Sequence, residues 1–241
     1  SAIAVDVETT VDLASAWVTR TPGVDVEIEV IPSIGRGLNV DVNNSTSNNY
    51  TGLAVAPGGG ATWNGVTTTV TTVADLLDSA GVATATDLAI TSSGGFSAWS
   101  NTTNGTPNPA LLMQDYYFGN TYTATLSSLP PGTYLLYVYA HGDADNQTST
   151  ITLSAANGGG TKGTAQNGGA FRDAFAAGAE GVAYAKFTAT VGATGTLQFS
   201  SGNYLNGFQL VELTDPDHET VRVTIPYTGE RLFVRLRASA E

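Results

Sequence analysis

An all-β protein is expected from three features of the chain. Short apolar runs alternate with polar residues at period two along much of its length. Threonine, valine and aromatic residues are plentiful, while only 12% of the 241 residues are charged, against about 25% in an average globular domain. Turn signals built from Gly, Pro, Asn and Asp separate the runs. With 41% hydrophobic residues the chain can fill a core rather than stay disordered.

The flanks supply the clearest alternation. Ile3, Val5 and Val7 alternate with Ala4, Asp6 and Glu8, and Val24, Val26, Ile28 and Val30 with Asp25, Glu27 and Glu29. At the other end Val221, Val223 and Ile225 alternate with Thr220, Arg222 and Thr224, and Leu232, Val234 and Leu236 with Phe233, Arg235 and Arg237. Such strands are half-buried, with one wet face. The N-terminal strands carry acids on that face and the C-terminal strands carry arginines. Opposite charges on neighbouring strands favour pairing by roughly 0.2–1 kcal/mol per pair. The flanks, 1–36 and 214–241, hold 17 charged side chains in 64 residues, whereas 37–213 holds 13 in 177 and 25 of the 28 glycines. The expected architecture is therefore a jelly-roll-like β-sandwich, residues 37–213, inserted into a small charged β-sandwich built from the two chain ends.

Within the middle segment, strands are expected at 53–57, 122–126, 133–140, 149–154, 183–191, 196–200 and 208–213. Residues 73–79 read as a helical turn or a strand. The run Tyr134-Leu135-Leu136-Tyr137-Val138-Tyr139 is apolar on both faces, as a central strand would be. Residues 92–110 and 155–181 read as long surface loops. Trp63, Tyr137, Phe187 and Phe208 are expected in the core.

Composition excludes several functions. A net charge of −12 is unsuited to nucleic acid or an anionic membrane surface. No apolar run is long enough for a membrane-spanning helix, so membrane insertion is not expected. The absence of cysteine removes thiol chemistry, zinc ribbons and iron–sulfur clusters. The chain opens at Ser1 with neither a methionine nor a signal peptide, which reads as a processed mature chain or an excised fragment.

No nucleophile elbow, zinc-protease helix, phosphate loop or dinucleotide fingerprint occurs, and no enzyme activity is expected. His141 reads as closing a turn after a buried strand, and His218 as a linker residue. Asp143, Asp145 and Asn146 place hard oxygen donors at the spacing calcium prefers, without the glycine and terminal glutamate of an EF-hand. No cofactor is expected beyond a structural calcium at that turn; the competing reading is an Asx-type turn. Sugar rings stack on flat aromatic faces, and Phe96, Trp99, Tyr116, Tyr117 and Tyr204 lie in or beside the expected loops, with Asn101, Asn203 and Gln114 as polar neighbours. Trp99, between Ala98 and Ser100, is the leading contact residue. Six Asn-x-Ser/Thr triplets, at Asn43, Asn44, Asn49, Asn101, Asn104 and Asn146, would accept glycans in a glycosylating host, but so Asn- and Thr-rich a chain produces such triplets by chance.

The segments Tyr50-Thr51-Gly52-Leu53-Ala54-Val55-Ala56-Pro57-Gly58, Trp63-Asn64-Gly65-Val66, Leu129 to Asp143 and Leu205-Asn206-Gly207-Phe208-Gln209-Leu210, in that order, resemble a galactose-binding-like jelly-roll module of large secreted bacterial surface proteins. The resemblance spans about residues 37–213, and the flanks look like halves of a short C-terminal β module of such proteins. It implies an extracellular, non-catalytic role in binding, adhesion or scaffolding, and supplies no ligand or catalytic residue. Two roles follow. The first is a self-assembling subunit of a surface or matrix filament, a homo-polymer in which Ile3, Val5, Val7, Leu232, Val234 and Leu236 lie on exchangeable strands. The second is a carbohydrate-binding module whose polysaccharide contacts are Trp99, Phe96, Tyr116, Tyr204 and Asn203.

Overall fold

The computed structural model describes residues 2–8, 27–44, 49–100, 112–142, 147–165 and 180–226, with side chains from 34 to 214. The chain divides into two compact units, Ser1–Ile34 with Leu213–Glu241, and Gly35–Glu212. Thirteen strands are described: β1 Ala2–Glu8, β2 Glu27–Val42, β3 Asn64–Val66, β4 Thr72–Val73, β5 Asp87–Ser92, β6 Ala98–Ser100, β7 Asp115–Ser127, β8 Gly132–Tyr139, β9 Ser149–Leu153, β10 Thr161–Thr164, β11 Tyr184–Val191, β12 Leu197–Leu205 and β13 Gly207–Pro226. The protein is all-β, and among the described residues no helix is long and apolar enough to cross a membrane.

In the first unit, β1 runs antiparallel to β13 from Ala2↔Pro226 to Glu8↔Thr220, so that Asp6 stands opposite Arg222. Leu232, Val234 and Leu236 lie outside the described residues.

The second unit is built from two sheets. One has the order β11-β8-β13-β2-β3 and the other β10-β9-β12-β7-β5-β4, with β6 on β7. Along the chain, β2, β8, β11 and β13 fall in the first sheet and β7, β9, β10 and β12 in the second. The resulting quartets, β2-β13-β8-β11 and β7-β12-β9-β10, are the strand order of a jelly roll. Inward side chains of both sheets form one core. Leu136 and Val138 of β8, Phe187 of β11 and Phe208 and Leu210 of β13 meet Ile151, Leu153, Phe199, Tyr122, Ala124 and Leu126 from the other sheet. Phe199 and Phe208 meet edge to face at 5.1 Å, a favoured aromatic geometry.

Several expectations need correction. Residues 53–57 are not a strand. That segment covers the outer face of the first sheet and takes its hydrogen bonds from side chains: Gln209 Oε1 accepts from the Ala56 N–H (3.1 Å), and the Tyr139 hydroxyl from the Val55 N–H (3.1 Å). The same Tyr139 hydroxyl donates to Gln209 (2.7 Å), whose amide donates to Asn39 (2.9 Å). Asn39 in turn donates to the Thr62 carbonyl (2.8 Å). This cover explains why β8 is apolar on both sides: Tyr137 and Tyr139 are buried on the face opposite Leu136 and Val138. Trp63 is buried within this cover, edge-on to Tyr50 at 5.1 Å, rather than between the sheets. The expected loops contain order too. Residues 155–157 form a 3-10 turn and 161–164 form β10, while 98–100 form β6. His218 lies in β13, not in a linker.

The strand ends near residues 42, 115, 140 and 206 are held by one buried side chain, Asn206. Its Oδ1 accepts from the His141 N–H (2.9 Å), and its Nδ2 donates to the carbonyls of Met113 (3.3 Å) and Asp115 (3.2 Å). Its backbone N–H and C=O bond to Tyr139 and Val42, both at 2.9 Å. The next residue must be glycine, because a Cβ at 207 would run into the Val40 carbonyl. Asn206→Ala strips partners from three buried backbone groups. It is expected to cost about 3 kcal/mol and to lower the thermal midpoint by roughly 6–12 °C. A calorimetric scan showing an unchanged midpoint would contradict the clamp.

Candidate functional site

The outer face of the second sheet carries the exposed aromatic residues. Trp99 of β6 stands opposite Tyr116 of β7, and Tyr204 of β12 opposite Phe118 of β7. Cross-strand partners share a face, as do residues two apart on one strand. All four rings therefore point away from the core. Trp99 is 52% exposed and Phe118 36%, Tyr204 is half-buried, and Tyr116 is buried among them. Tyr116 meets Tyr204 at 5.7 Å and Phe118 at 6.4 Å, both edge to face.

A bulge makes this arrangement. Between Asn203 and Tyr204 the pairing with β7 slips from Asn120 to Phe118, leaving Gly119 as the extra residue. Gly119 has φ of 85°, a left-handed conformation that glycine adopts readily. Without the extra residue, strict alternation would send Phe118 to the same side as Tyr122. With it, Tyr117 and Tyr122 both enter the core, 5.0 Å apart, while Tyr116 and Phe118 face out. Asn203, across the bulge, is exposed and also left-handed, at φ of 73°. Asparagine is among the non-glycine residues most often found there. Tyr204 is anchored from behind: its N–H donates to Ser149 Oγ (3.0 Å), and its carbonyl accepts from the hydroxyls of Ser149 (2.9 Å) and Ser201 (2.6 Å).

Not every expected contact residue joins this surface. Phe96 turns inward, partly buried against the core, and packs edge to face on Tyr117 at 5.3 Å. Trp99 lies on a strand rather than a loop. Gln114 is buried, and its amide donates to the Ser100 hydroxyl (3.3 Å). Asn101 lies outside the described residues, as do Asp143, Asp145 and Asn146. Among the described residues no group of three or more His, Asp or Glu is placed to hold a metal ion. His141 is fully buried, with Nδ1 2.6 Å from the Gly142 carbonyl, so it closes a turn. Asn43 is buried and its amide donates to Asn49 Oδ1 (2.8 Å), which closes that triplet to a glycan.

Two buried carboxyls lie behind the aromatic surface. Asp41 Oδ2 accepts from the Tyr50 N–H (2.7 Å), and Asp115 Oδ2 from the Asn44 N–H (3.3 Å), so together they hold both ends of the segment 44–50. Asp115 is the cross-strand partner of Ser100. Among the described residues its buried Oδ1 has no hydrogen-bond partner. Burial raises the pKa of both carboxyls above the ordinary value of 3.8, that of Asp41 strongly, with the nearby Asp115 charge adding to the rise. A carboxyl whose pKa is higher folded than unfolded binds its proton more tightly in the folded state. Its contribution is complete below the unfolded value and is lost as pH rises through the folded one. The thermal midpoint of wild type should accordingly carry a falling component as pH climbs from about 4 toward neutrality. Asp115→Asn, which keeps an acceptor for Asn44, should fall less steeply. Equal slopes for the two proteins in a pH series would contradict the assignment.

No protein-family model matches the chain. No curated protein matches it either. Among solved structures the chain is similar to the carbohydrate-binding module TmCBM61, determined in complex with β-1,4-galactotriose. Identity is 11%, the TM-score is 0.25, and the match covers 56% of this chain and 86% of that one.

Proposed function

We propose that the second unit binds carbohydrate on the outer face of its second sheet, as a non-catalytic module of a secreted or cell-surface protein. The observation that carries the reading is the half-exposed Trp99, in register with a buried tyrosine and bordered by Phe118 and Tyr204 on the same face. A large apolar ring held open to water on a rigid strand is costly to hydrate and gains by covering. The C–H face of a pyranose ring covers it well, and the equatorial hydroxyls then remain in reach of polar neighbours such as Asn203. Buried Tyr116 and the Ser149–Tyr204 bonds keep the rings in place before binding, which reduces the ordering cost. Trp99→Ala should weaken retention on a polysaccharide-containing affinity gel by about 2 kcal/mol, roughly thirtyfold. Trp99→Phe should recover part of it. Equal retention of wild type and Trp99→Ala would remove the reading.

A second reading rests on the chain ends. β1 and residues 220–226 of β13 are remote in sequence and pair along seven residues. Ile3, Val5 and Val7 occupy alternate positions of that ladder. Pairing of the same kind between neighbouring chains replaces each contact by an identical one and, when it does not close a ring, yields a filament. Under this reading native material viewed by negative-stain microscopy is polymeric, and deletion of residues 1–8 leaves only monomers. Filaments formed by the truncated chain would end it.

A further inference from the structure

The aromatic group is one end of a longer, hydroxyl-rich face, on which the carboxylate of Asp87 of β5 stands opposite Ser127 at the far end. Beyond the bulge, the outward positions of β7 are Thr121, Thr123, Thr125 and Ser127, and those of β12 are Gly202, Ser200 and Gln198. Register continues across the sheet: Thr91 opposes Thr123, Thr123 opposes Ser200, Ser200 opposes Thr152 and Thr152 opposes Thr161. One hydroxyl from each of five adjacent strands thus stands in a single row, about 19 Å long at the usual strand spacing. Gln198 donates to Thr125 Oγ1 (3.0 Å), and the Thr152 and Thr161 hydroxyls bond at 3.1 Å. The row is not flat. A depression of about 230 Å³ lies over Thr123, Thr152, Gln198 and Ser200, and adjoins a second of about 360 Å³ that reaches Thr196 and Gly192. Ser154 and Gln198 line both.

We propose that this face is an extended glycan track: a neutral polysaccharide stacks on Trp99 and Tyr204 and continues along β12 over Gly202, Ser200 and Gln198 toward Thr196. The proposal rests on the carbohydrate reading above and adds the ligand's class, its minimum length and its direction. Tyr204 and Gln198 are six residues apart on one strand, about 20 Å, a span that one or two sugar rings do not cover. The chemistry selects a neutral chain. No charged residue occurs at the outward positions of β7 from Tyr116, of β9 or of β12, in a chain of net charge −12, and the outward carboxylate of the neighbouring β5, Asp87, lies opposite Ser127, off the path along β12. Hydroxyl and amide groups both donate and accept, as the hydroxyls of a neutral sugar require. A uronate polymer would meet no cation on the track and a net repulsive field around it. Gly202 has a specific part: it leaves the backbone bare between Tyr204 and Ser200, so a chain can pass close to the sheet. A Cβ there meets only the Thr150 carbonyl at an ordinary 3.5 Å, so the strand itself tolerates a side chain.

That tolerance supplies the test. Wild type, Trp99→Ala, Gly202→Leu and Gln198→Ala are compared for binding to galactan, mannan, xylan and mixed-linkage glucan, and to di- and hexasaccharides of whichever polymer wild type retains, with near-ultraviolet circular dichroism as the fold check. Hexasaccharide is expected to bind wild type about tenfold more tightly than disaccharide. Gly202→Leu should abolish that gain, Gln198→Ala should reduce it, and Trp99→Ala should weaken both ligands. Equal binding of long and short ligands by wild type, or a Gly202→Leu protein that keeps the gain, overturns the track and leaves the aromatic reading standing. Failure of wild type to retain any of the polymers removes the aromatic reading and the track together. A self-associating wild type whose dimer is lost in Gly202→Leu, with glycan binding unaltered, assigns the face to a second copy and also overturns the proposal.

Discussion

The jelly roll depends on satisfying buried backbone groups where its strands end. Four chain segments converge at Asn206, and none of them can turn to water there. A planar amide suits this position because it offers an acceptor and donors in one rigid group. Asn206 uses the acceptor on β8's exit and its donors on β7's entry, and its backbone joins β2 to β8. A hydrophobic residue of similar size would fill the space and leave three polar groups stranded. The neighbouring Gly207 follows from the same convergence, since β2 and β13 approach too closely for a side chain.

The same economy appears on the outer face of the first sheet. Asn39, Tyr139 and Gln209 form a connected network in which buried polar groups bond to one another and to the covering segment 55–62. That cover withdraws Tyr137, Tyr139 and Gln209 on the first sheet's outer face from solvent. The exposed aromatic and hydroxyl rows are found on the outer face of the second sheet.

The bulge at Gly119 joins the two parts of that face. One extra residue changes the parity of β7, so aromatic residues before it and threonines after it point the same way. Tyr117 and Tyr122 are consequently both free to fill the core. A pair of tyrosines so close in sequence serves the interior, while their immediate neighbours serve the surface.

Much of the architecture was legible in the chain. Period-two alternation marked β8, β9 and β11 within a residue or so, because each buries one face against a common core, and residues 134–139 announced a strand covered on both sides. The exposure of Trp99 was readable from its polar surroundings. Other features were not readable. Phe96 and Tyr204 look alike as loop aromatics, yet one packs against the core and the other lies on the outer face, since a bulge and a strand pairing decide the side. Leu53 to Ala56 have the composition of a strand but bond to side chains 84 and 153 residues distant. The hydroxyl row is scattered over five segments between Thr91 and Ser200 and exists only once register aligns them. Composition and local periodicity determined that the chain would be β and which residues alternate, because those are properties of neighbouring residues. Which alternate residues share a face, and which face stays open, was decided by the tertiary structure, because both depend on pairing between residues far apart in the chain.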